Sequence, residues 1–89
     1  MTTLHRLEVL VAVAKRLNIT QVSRDLHVSQ PAISQEIRRL EKNLGVKLIR
    51  KKRRGIELTE AGTALRVDVE KFIAELEHLK KKYGRGTYL

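Results

Sequence analysis

The sequence predicts a mainly α-helical fold with three short helices, a two-stranded hairpin and a long final helix. Three observations predict it. Apolar residues recur at helical spacing in four separate stretches of the chain. Ser29 and Pro31 mark a helix start, since serine is a good N-cap and proline is tolerated in the first turn. Five consecutive basic residues followed by Gly55 separate two short strand-capable runs, as in a hairpin.

The first predicted helix covers residues 3–17. Its apolar residues recur every three or four positions, so one face can cover the two helices that follow. We expect this helix to serve the core rather than a binding site. The residues assigned to its inner face are Leu4, Leu7, Leu10, Val11 and Ala14.

The second and third predicted helices are joined by a tight turn. The second begins within residues 18–20 and places Val22 and Leu26 one turn apart, with Val28 in the connection. The third begins at or just after Ser29. Because both helices are amphipathic, they are predicted to share one small core. The inward residues of the third helix are Ile33, Ile37, Leu40 and Leu44.

The outward face of the third helix is polar, with short side chains near its start and basic ones further on. A step of about 100° per residue separates this face from the apolar stripe. Such a face suits a helix that enters a DNA major groove, where glutamine pairs with adenine, serine bonds several base edges and arginine reaches guanine or a phosphate. The predicted outward residues are Gln30, Pro31, Ser34, Gln35, Arg38 and Lys42.

The hairpin spans residues 48–58 and has a strongly basic turn. Like charges at a hairpin tip repel one another, which is tolerable if phosphates neutralise them. Narrow A·T-rich minor grooves concentrate negative potential and attract inserted arginine. The hairpin is therefore predicted to contact DNA backbone and minor groove; the alternative is a generic basic loop or a localisation-like signal. Its predicted contact residues are Lys51, Lys52, Arg53 and Arg54.

The last helix carries an a/d heptad seam that is interrupted only at Gly62. Thr59 is its predicted N-cap, and Gly84 is predicted to end it. At 1.5 Å per residue the helix spans about 35 Å, longer than a core of this size can cover, so dimerisation is favoured over packing on the chain's own core. The seam starts at Leu58 and continues through the predicted dimerisation residues Leu65, Val69, Phe72, Leu76, Leu79 and Tyr83.

The composition favours an acidic polymer as the partner. The 89 residues fit one small domain, and 19 Lys and Arg against 10 Asp and Glu leave a formal net charge of +9. The alternative is a basic surface that only keeps the protein soluble or adheres to anionic membranes. The sequence has no stretch of about 18 apolar residues and no secretion signal, so a soluble cytoplasmic protein is expected.

No catalytic or metal-binding motif occurs in the sequence. His5, His27 and His78 are far apart, no Cys is present, and no glycine-rich phosphate loop follows a strand. Capping and groove contact explain Ser29 and Ser34 more simply than a nucleophile does, and His27 is expected to end the second helix. We expect a non-enzyme without cofactor or metal. A single-stranded nucleic-acid or RNA binder is disfavoured, because the few aromatic residues lie in or beyond the last helix.

Five blocks along the chain carry a resemblance to a known family. The blocks are Ala12-Val13-Ala14, Leu26-His27-Val28-Ser29-Gln30-Pro31-Ala32-Ile33-Ser34, Ile37-Arg38-Arg39-Leu40-Glu41, Leu44-Gly45-Val46-Lys47-Leu48 and Leu58-Thr59-Glu60-Ala61-Gly62. In this order and with these gaps, they resemble the N-terminal domain of LysR-type transcriptional regulators. The resemblance implies a winged helix-turn-helix, with the hairpin as its wing, followed by a linker helix that pairs two DNA-binding domains.

The resemblance also implies roles for individual residues. Thr20 lies where the family often places a phosphate contact at a helix N-terminus, although it could serve only as an N-cap. Arg54, which precedes Gly55, matches the family's groove-inserting arginine. Lys51 stands where the family usually has another arginine, and Gln35 stands where relatives are commonly basic.

The predicted organisation has three parts. A winged helix-turn-helix domain covers residues 1–58, a linker helix covers 59–83, and a flexible tail or the start of a hinge covers 84–89. Within the first part, Ile19 occupies a position often held by Phe and is interpreted as a compensating core change. The resembled regulators carry a larger C-terminal effector-binding domain, so a small-molecule effector would act only through a domain absent here. An excised part of a longer regulator is favoured over a natural stand-alone protein.

The leading hypothesis is a homodimer that binds double-stranded DNA sequence-specifically in bacterial transcription regulation. It predicts an interrupted inverted repeat with A·T-rich flanks, with each recognition helix in a major groove. The competing hypothesis is a short interaction module that heterodimerises through the linker helix and modulates a full-length regulator. Such a module would tolerate acidic substitution at Ser34 and Gln35.

Overall fold

The computed structural model describes residues 2–84, which form four helices and one hairpin. The elements are α1 (Thr3–Arg16), α2 (Ile19–Leu26), α3 (Gln30–Leu44), β1 (Ile49–Lys51), β2 (Ile56–Leu58) and α4 (Glu60–Tyr83). This order confirms the predicted winged helix-turn-helix followed by a long helix. Most of the predicted tail, residues 85–89, lies outside the described residues.

Side-chain caps fix the starts of α3 and α4 where the sequence predicts them. Ser29 Oγ accepts a hydrogen bond from the Ala32 N–H at 3.2 Å, and Thr59 Oγ1 accepts one from the Gly62 N–H at 3.0 Å. Gly84 ends α4, as predicted. The local capping chemistry therefore sets where the candidate recognition helix and the long helix begin.

The N-cap of α2 is Asn18 and not Thr20, which was one of the predicted alternatives. Asn18 is the N-cap, and its Oδ1 accepts from the Gln21 N–H at 3.0 Å. Thr20 is the second residue of α2, so the alternative that Thr20 serves as the N-cap is wrong. His27 ends the helix in the left-handed region at φ 57°, which confirms its predicted place in the turn.

The core lies where α1, α2 and α3 meet the root of the hairpin. Because α1 packs against α3 and α4 as well as α2, more of its circumference is buried than a single stripe predicts. Val9 and Val13 are buried in the core, although they were not predicted to lie on the inner face. Leu4 and Leu7 were predicted to lie on that face but are only half-buried. The buried cluster consists of Val9, Leu10, Val13, Val22, Ile33, Ile37, Leu40 and Leu48.

Two residues predicted to face the shared core of α2 and α3 are exposed. Leu44 is 48% exposed because it is the last residue of α3, where the chain reverses at Gly45. Leu26 is 39% exposed at the end of α2, and Val28 in the turn is also exposed. The expected core positions are therefore wrong for Leu26 and Leu44, and Leu40 is the last buried residue of α3.

The apolar seam of α4 is divided between two environments. Val69 is buried against the chain's own core, and Leu65 packs against that core while half-buried. Phe72, Leu79 and Tyr83 are exposed. Leu76 is half-buried beside Leu4 of α1. Part of the seam therefore packs within the chain, as the alternative to dimerisation predicted, and part of it remains exposed within residues 2–84. No helix in this part of the chain is long and apolar enough to cross a membrane.

Candidate nucleic-acid interface

An open groove of about 730 Å³ lies between the start of α3 and the hairpin strand β1. Five of its six lining residues are ones that the sequence predicts to face DNA. The sixth, Ile19, was assigned only to the core, because nothing in a local pattern places the start of α2 beside β1. The lining residues are Ile19, Gln30, Pro31, Ser34, Arg38 and Lys51.

The reading face of α3 offers unused hydrogen-bonding groups. Within residues 2–84, the side chains of Gln30, Ser34 and Gln35 make no hydrogen bond to the protein. Their amide and hydroxyl groups can donate and accept, as base edges in a major groove require. Gln30 and Gln35 are exposed and Ser34 is half-buried, but Gln35 does not line the groove.

An ion-pair network centred on the buried Glu36 carboxylate links α3 to α1. The Glu36 carboxylate is only 6% exposed; Oε2 accepts from Arg6 Nε and Oε1 from Arg39 Nη1, both at 3.3 Å. Only Arg6 joins the two helices, since Arg39 belongs to α3 itself; separating α3 from α1 would take the buried Glu36 carboxylate away from Arg6, which is unfavourable. The role of Glu36 was not predicted, although a carboxylate next to the apolar positions Ile33 and Ile37 is a sequence feature that could have indicated it.

The hairpin is a two-stranded antiparallel wing. Ile49 lies opposite Leu58 and Lys51 opposite Ile56. The turn closes where the Lys52 N–H donates to the Gly55 carbonyl at 3.2 Å, and Gly55 adopts φ +82°, a conformation that glycine accepts without strain. This local geometry confirms the predicted hairpin.

Hydrogen bonds join the root of the wing to α3 and to the start of α4. Glu41 Oε2 accepts from the Leu48 N–H at 2.8 Å and from the Ile49 N–H at 3.3 Å. The Thr59 N–H donates to the Leu48 carbonyl at 2.9 Å. Gly62 lets α4 approach this carbonyl so closely that an added Cβ would overlap its oxygen. The wing is therefore held in a fixed position relative to the reading face.

The reading face and the wing carry basic side chains that no carboxylate neutralises within residues 2–84. Arg50 is neutralised by Glu57 at 3.1 Å, and Arg16 by Asp25 at 3.0 Å. Within residues 2–84, Arg38 and the run from Lys51 to Arg54 form no ion pair. The remaining predicted contact residues are exposed but do not line the groove; they are Thr20, Lys52, Arg53 and Arg54.

The described side chains give no sign of a metal centre. Among residues 2–84, no three His, Asp or Glu side chains come together in a way that could hold an ion. The site consists instead of a polar helix face, a basic wing and the groove between them, a combination that defines a winged helix-turn-helix reading surface.

Comparisons with known proteins agree with this class. Residues 4–63 match the family described as bacterial regulatory helix-turn-helix protein, lysR family. The chain is 46% identical over 71 residues to the HTH-type transcriptional regulator BudR of Raoultella terrigena, an overlap that covers 80% of this chain and 24% of that protein. The chain belongs to the LysR family, as the resemblance predicted. It spans about a quarter of the length of this relative.

Solved structures of DNA complexes share the fold. The CbnR DNA-binding domain in complex with DNA superimposes with a TM-score of 0.85 at 34% identity, covering 91% of this chain and 93% of that one. The BenM DNA-binding domain in complex with benA site 1 DNA gives a TM-score of 0.86 at 25% identity, covering 91% and 94%. The architecture described above is thus that of LysR-type DNA-binding domains.

Proposed function

We propose that this chain binds double-stranded DNA sequence-specifically and acts as a homodimer in bacterial transcription regulation. The observation that carries the proposal is the groove, where the unbonded polar side chains of Gln30 and Ser34 lie beside Lys51 of the wing, which forms no ion pair within residues 2–84. DNA presents both base edges and phosphates, so it is the partner that uses both features. A regulator of this kind works on the chromosome, which places it in the bacterial cytoplasm.

In the proposed binding mode, the first turns of α3 enter a major groove and the wing lies over the flanking minor groove. Gln30 and Ser34 read base edges, and Arg38 reaches a guanine or a phosphate. Arg54 enters an A·T-rich minor groove, whose narrow width concentrates negative potential. The other contacts are assigned to backbone phosphates; they come from Thr20, Gln35, Lys51, Lys52 and Arg53, with Pro31 packing beside the bases.

The proposed dimer forms through α4. We assign residues 1–58 to DNA binding and 59–83 to the linker helix, whose exposed Phe72, Leu79 and Tyr83 would contact a second copy. Two such domains on one side of a duplex read half-sites about one helical turn apart or a multiple of it. The expected target is therefore an interrupted inverted repeat with A·T-rich flanks.

Selection from a random duplex library at about 150 mM salt tests this function, because nonspecific phosphate contacts are weakened at that ionic strength. Enrichment of an inverted repeat with A·T-rich flanks is the expected result. Binding at low salt without any enriched sequence would contradict sequence-specific reading and leave only nonspecific attraction between a basic protein and DNA.

A second candidate function is heterodimerisation with a full-length regulator, and the exposed apolar residues of α4 favour it. Ser34→Glu combined with Gln35→Glu separates the two candidates, because acidic side chains on the reading face repel phosphates. Loss of regulation in this variant supports DNA reading. Undiminished regulation, together with capture of the full-length partner, would support the interaction module.

A further inference from the structure

Ile19 lines the groove with a side chain that has no polar group. It is the first residue of α2, and its position is fixed by the Asn18 cap on the Gln21 N–H at 3.0 Å. Ile19 is half-buried: it packs against the core cluster and also lines the groove with Pro31. A core role alone therefore does not describe this side chain.

Ile19 and Pro31 place an apolar patch beside the hydrogen-bonding groups of Gln30 and Ser34. Neither apolar side chain has a donor or acceptor, so neither can read the polar groups of a base edge. In the major groove, the apolar group that distinguishes one base from the others is the 5-methyl of thymine. A methyl group seated on this patch leaves water, whereas cytosine has no methyl group to bury there.

We propose that Ile19, together with Pro31, recognises the 5-methyl group of one thymine in each half-site. Ile19 is then a specificity-determining residue at the edge of the reading face. This inference rests on the proposed DNA-reading function and adds to it one chemical feature of the target. Burial of a single methyl group corresponds to a change of about fourfold in Kd.

The test uses the chain and a duplex selected for specific binding, in which each thymine is replaced in turn by deoxyuridine. This replacement removes only the 5-methyl group and keeps the base pair. The wild-type chain is expected to bind one such duplex per half-site about fourfold more weakly. Ile19→Ala, which keeps Pro31 but shortens the apolar side chain at position 19, is expected to lose most of this difference between the substituted and unsubstituted duplexes.

Ile73→Ala is the matched control, because Ile73 is a half-buried isoleucine of α4 that lies in clefts against α1 and outside the groove. This variant should keep the wild-type response to deoxyuridine. Circular dichroism checks the fold of each variant. If Ile19→Ala does not fold, Pro31→Ala replaces it, because Pro31 is the exposed member of the same pair and lies outside the core cluster.

Two outcomes separate this inference from the function on which it rests. Sensitivity at no thymine, or equal sensitivity in wild type and the Ile19 variant, overturns the thymine-methyl contact while specific binding of the unmodified duplex stands. If the wild-type chain prefers no duplex over unrelated DNA, both the contact and the proposed function are overturned.

Discussion

Gln30 is the first residue of α3, and within residues 2–84 its exposed amide has no hydrogen-bond partner. An amide in this position can pair bidentately with adenine. Gln30→Ala is expected to weaken binding to the preferred site by about 1–3 kcal/mol and to flatten the base preference at one position of each half-site. Repeating the selection from the random duplex library with the variant measures both effects.

Gln21→Ala is the control for Gln30→Ala. The Gln21 amide lies on α2 outside the groove and already donates to Asp25 at 3.0 Å. Removing it should leave every base preference unchanged. If Gln30→Ala selects the same sequences as wild type, the reading face has been assigned to the wrong residues.

The roles of some single residues could be predicted from the sequence, and the roles of others could not. Gln30 and Ser34 were predicted because the 3.6-residue period separates inward from outward positions once Ile33 and Ile37 are assigned inward. The role of Glu36 was not predicted, because its partner Arg6 is 30 residues away and only the packing of α3 on α1 brings them together. Ile19 was placed in the core, since its second environment needs α2 and β1 to be neighbours.

At the scale of elements, the wing depends on Glu41 for its position. Glu41→Ala leaves the Leu48 and Ile49 N–H groups without their carboxylate acceptor, and a lost partner of this kind costs about 1–3 kcal/mol. We expect the free energy of unfolding to fall by that amount. Because the wing root loosens, we also expect weaker A·T-flank preference with unchanged preference at the bases read by α3.

Glu57→Ala is the control for Glu41→Ala. Chemical denaturation compares the stabilities of the two variants, and affinities for duplexes with A·T-rich and G·C-rich flanks compare their flank preferences. Glu57 pairs with Arg50 on the exposed face of the same hairpin, where an ion pair contributes about 0–1 kcal/mol. The two variants remove the same charge, so only the anchoring role separates them. Equal stability and equal flank preference in both variants would show that Glu41 does not anchor the wing.

The wing tip is expected to read groove width through Arg54. Arg54→Ala should reduce the preference for A·T-rich flanks, since an arginine is favoured where the minor groove is narrow. It should also lower the log–log salt slope of binding by about 0.9, the value for one neutralised phosphate. Affinity measurements on duplexes with A·T-rich and G·C-rich flanks across a salt series give both quantities.

Lys15→Ala provides the charge-matched control for Arg54→Ala, because Lys15 is an exposed lysine of α1 that does not line the groove between α3 and the wing. It should change neither the flank preference nor the salt slope. If both variants change the slope alike and neither changes the preference, the wing supplies charge without reading groove shape.

Elements fixed by local chemistry were predicted best. The starts of α3 and α4 and the hairpin turn depend on Ser29, Thr59 and Gly55, each acting within a few residues. The inner face of α1 was predicted less well, because α1 is covered by α3 and α4 at once and a single periodic stripe cannot describe two contacts. Val9 and Val13 were missed for that reason.

At the scale of the whole molecule, the basic wing tip and the exposed part of the apolar seam lie on different elements. The chain carries a formal net charge of +9, and its unpaired basic residues include the wing tip, while exposed apolar residues lie along the second half of α4. The long axis measures 46 Å, since α4 has 24 residues and extends past the core. This separation would let one molecule hold DNA with the wing and a second copy with α4.

The proposed dimer predicts opposite outcomes for two exposed apolar residues of α4. Phe72 and Val67 are 48% and 50% exposed, and a step of about 100° per residue turns them about 140° apart on the helix. Only Phe72 belongs to the heptad seam. Phe72→Glu is expected to raise the dimer dissociation constant by about 10- to 100-fold, the loss of one large apolar contact, while Val67→Glu leaves it unchanged.

Sedimentation velocity measures the dimer, and circular dichroism checks that both glutamate variants keep the helical fold. Because the two changes add the same charge to the same helix, a difference between them reports the face used for pairing. Phe72→Glu should also lose the extra affinity for an inverted repeat while keeping wild-type affinity for a single half-site, since its α3 and wing are intact. An unchanged dimer in Phe72→Glu, or dissociation by Val67→Glu alone, would place the partner on another face of α4.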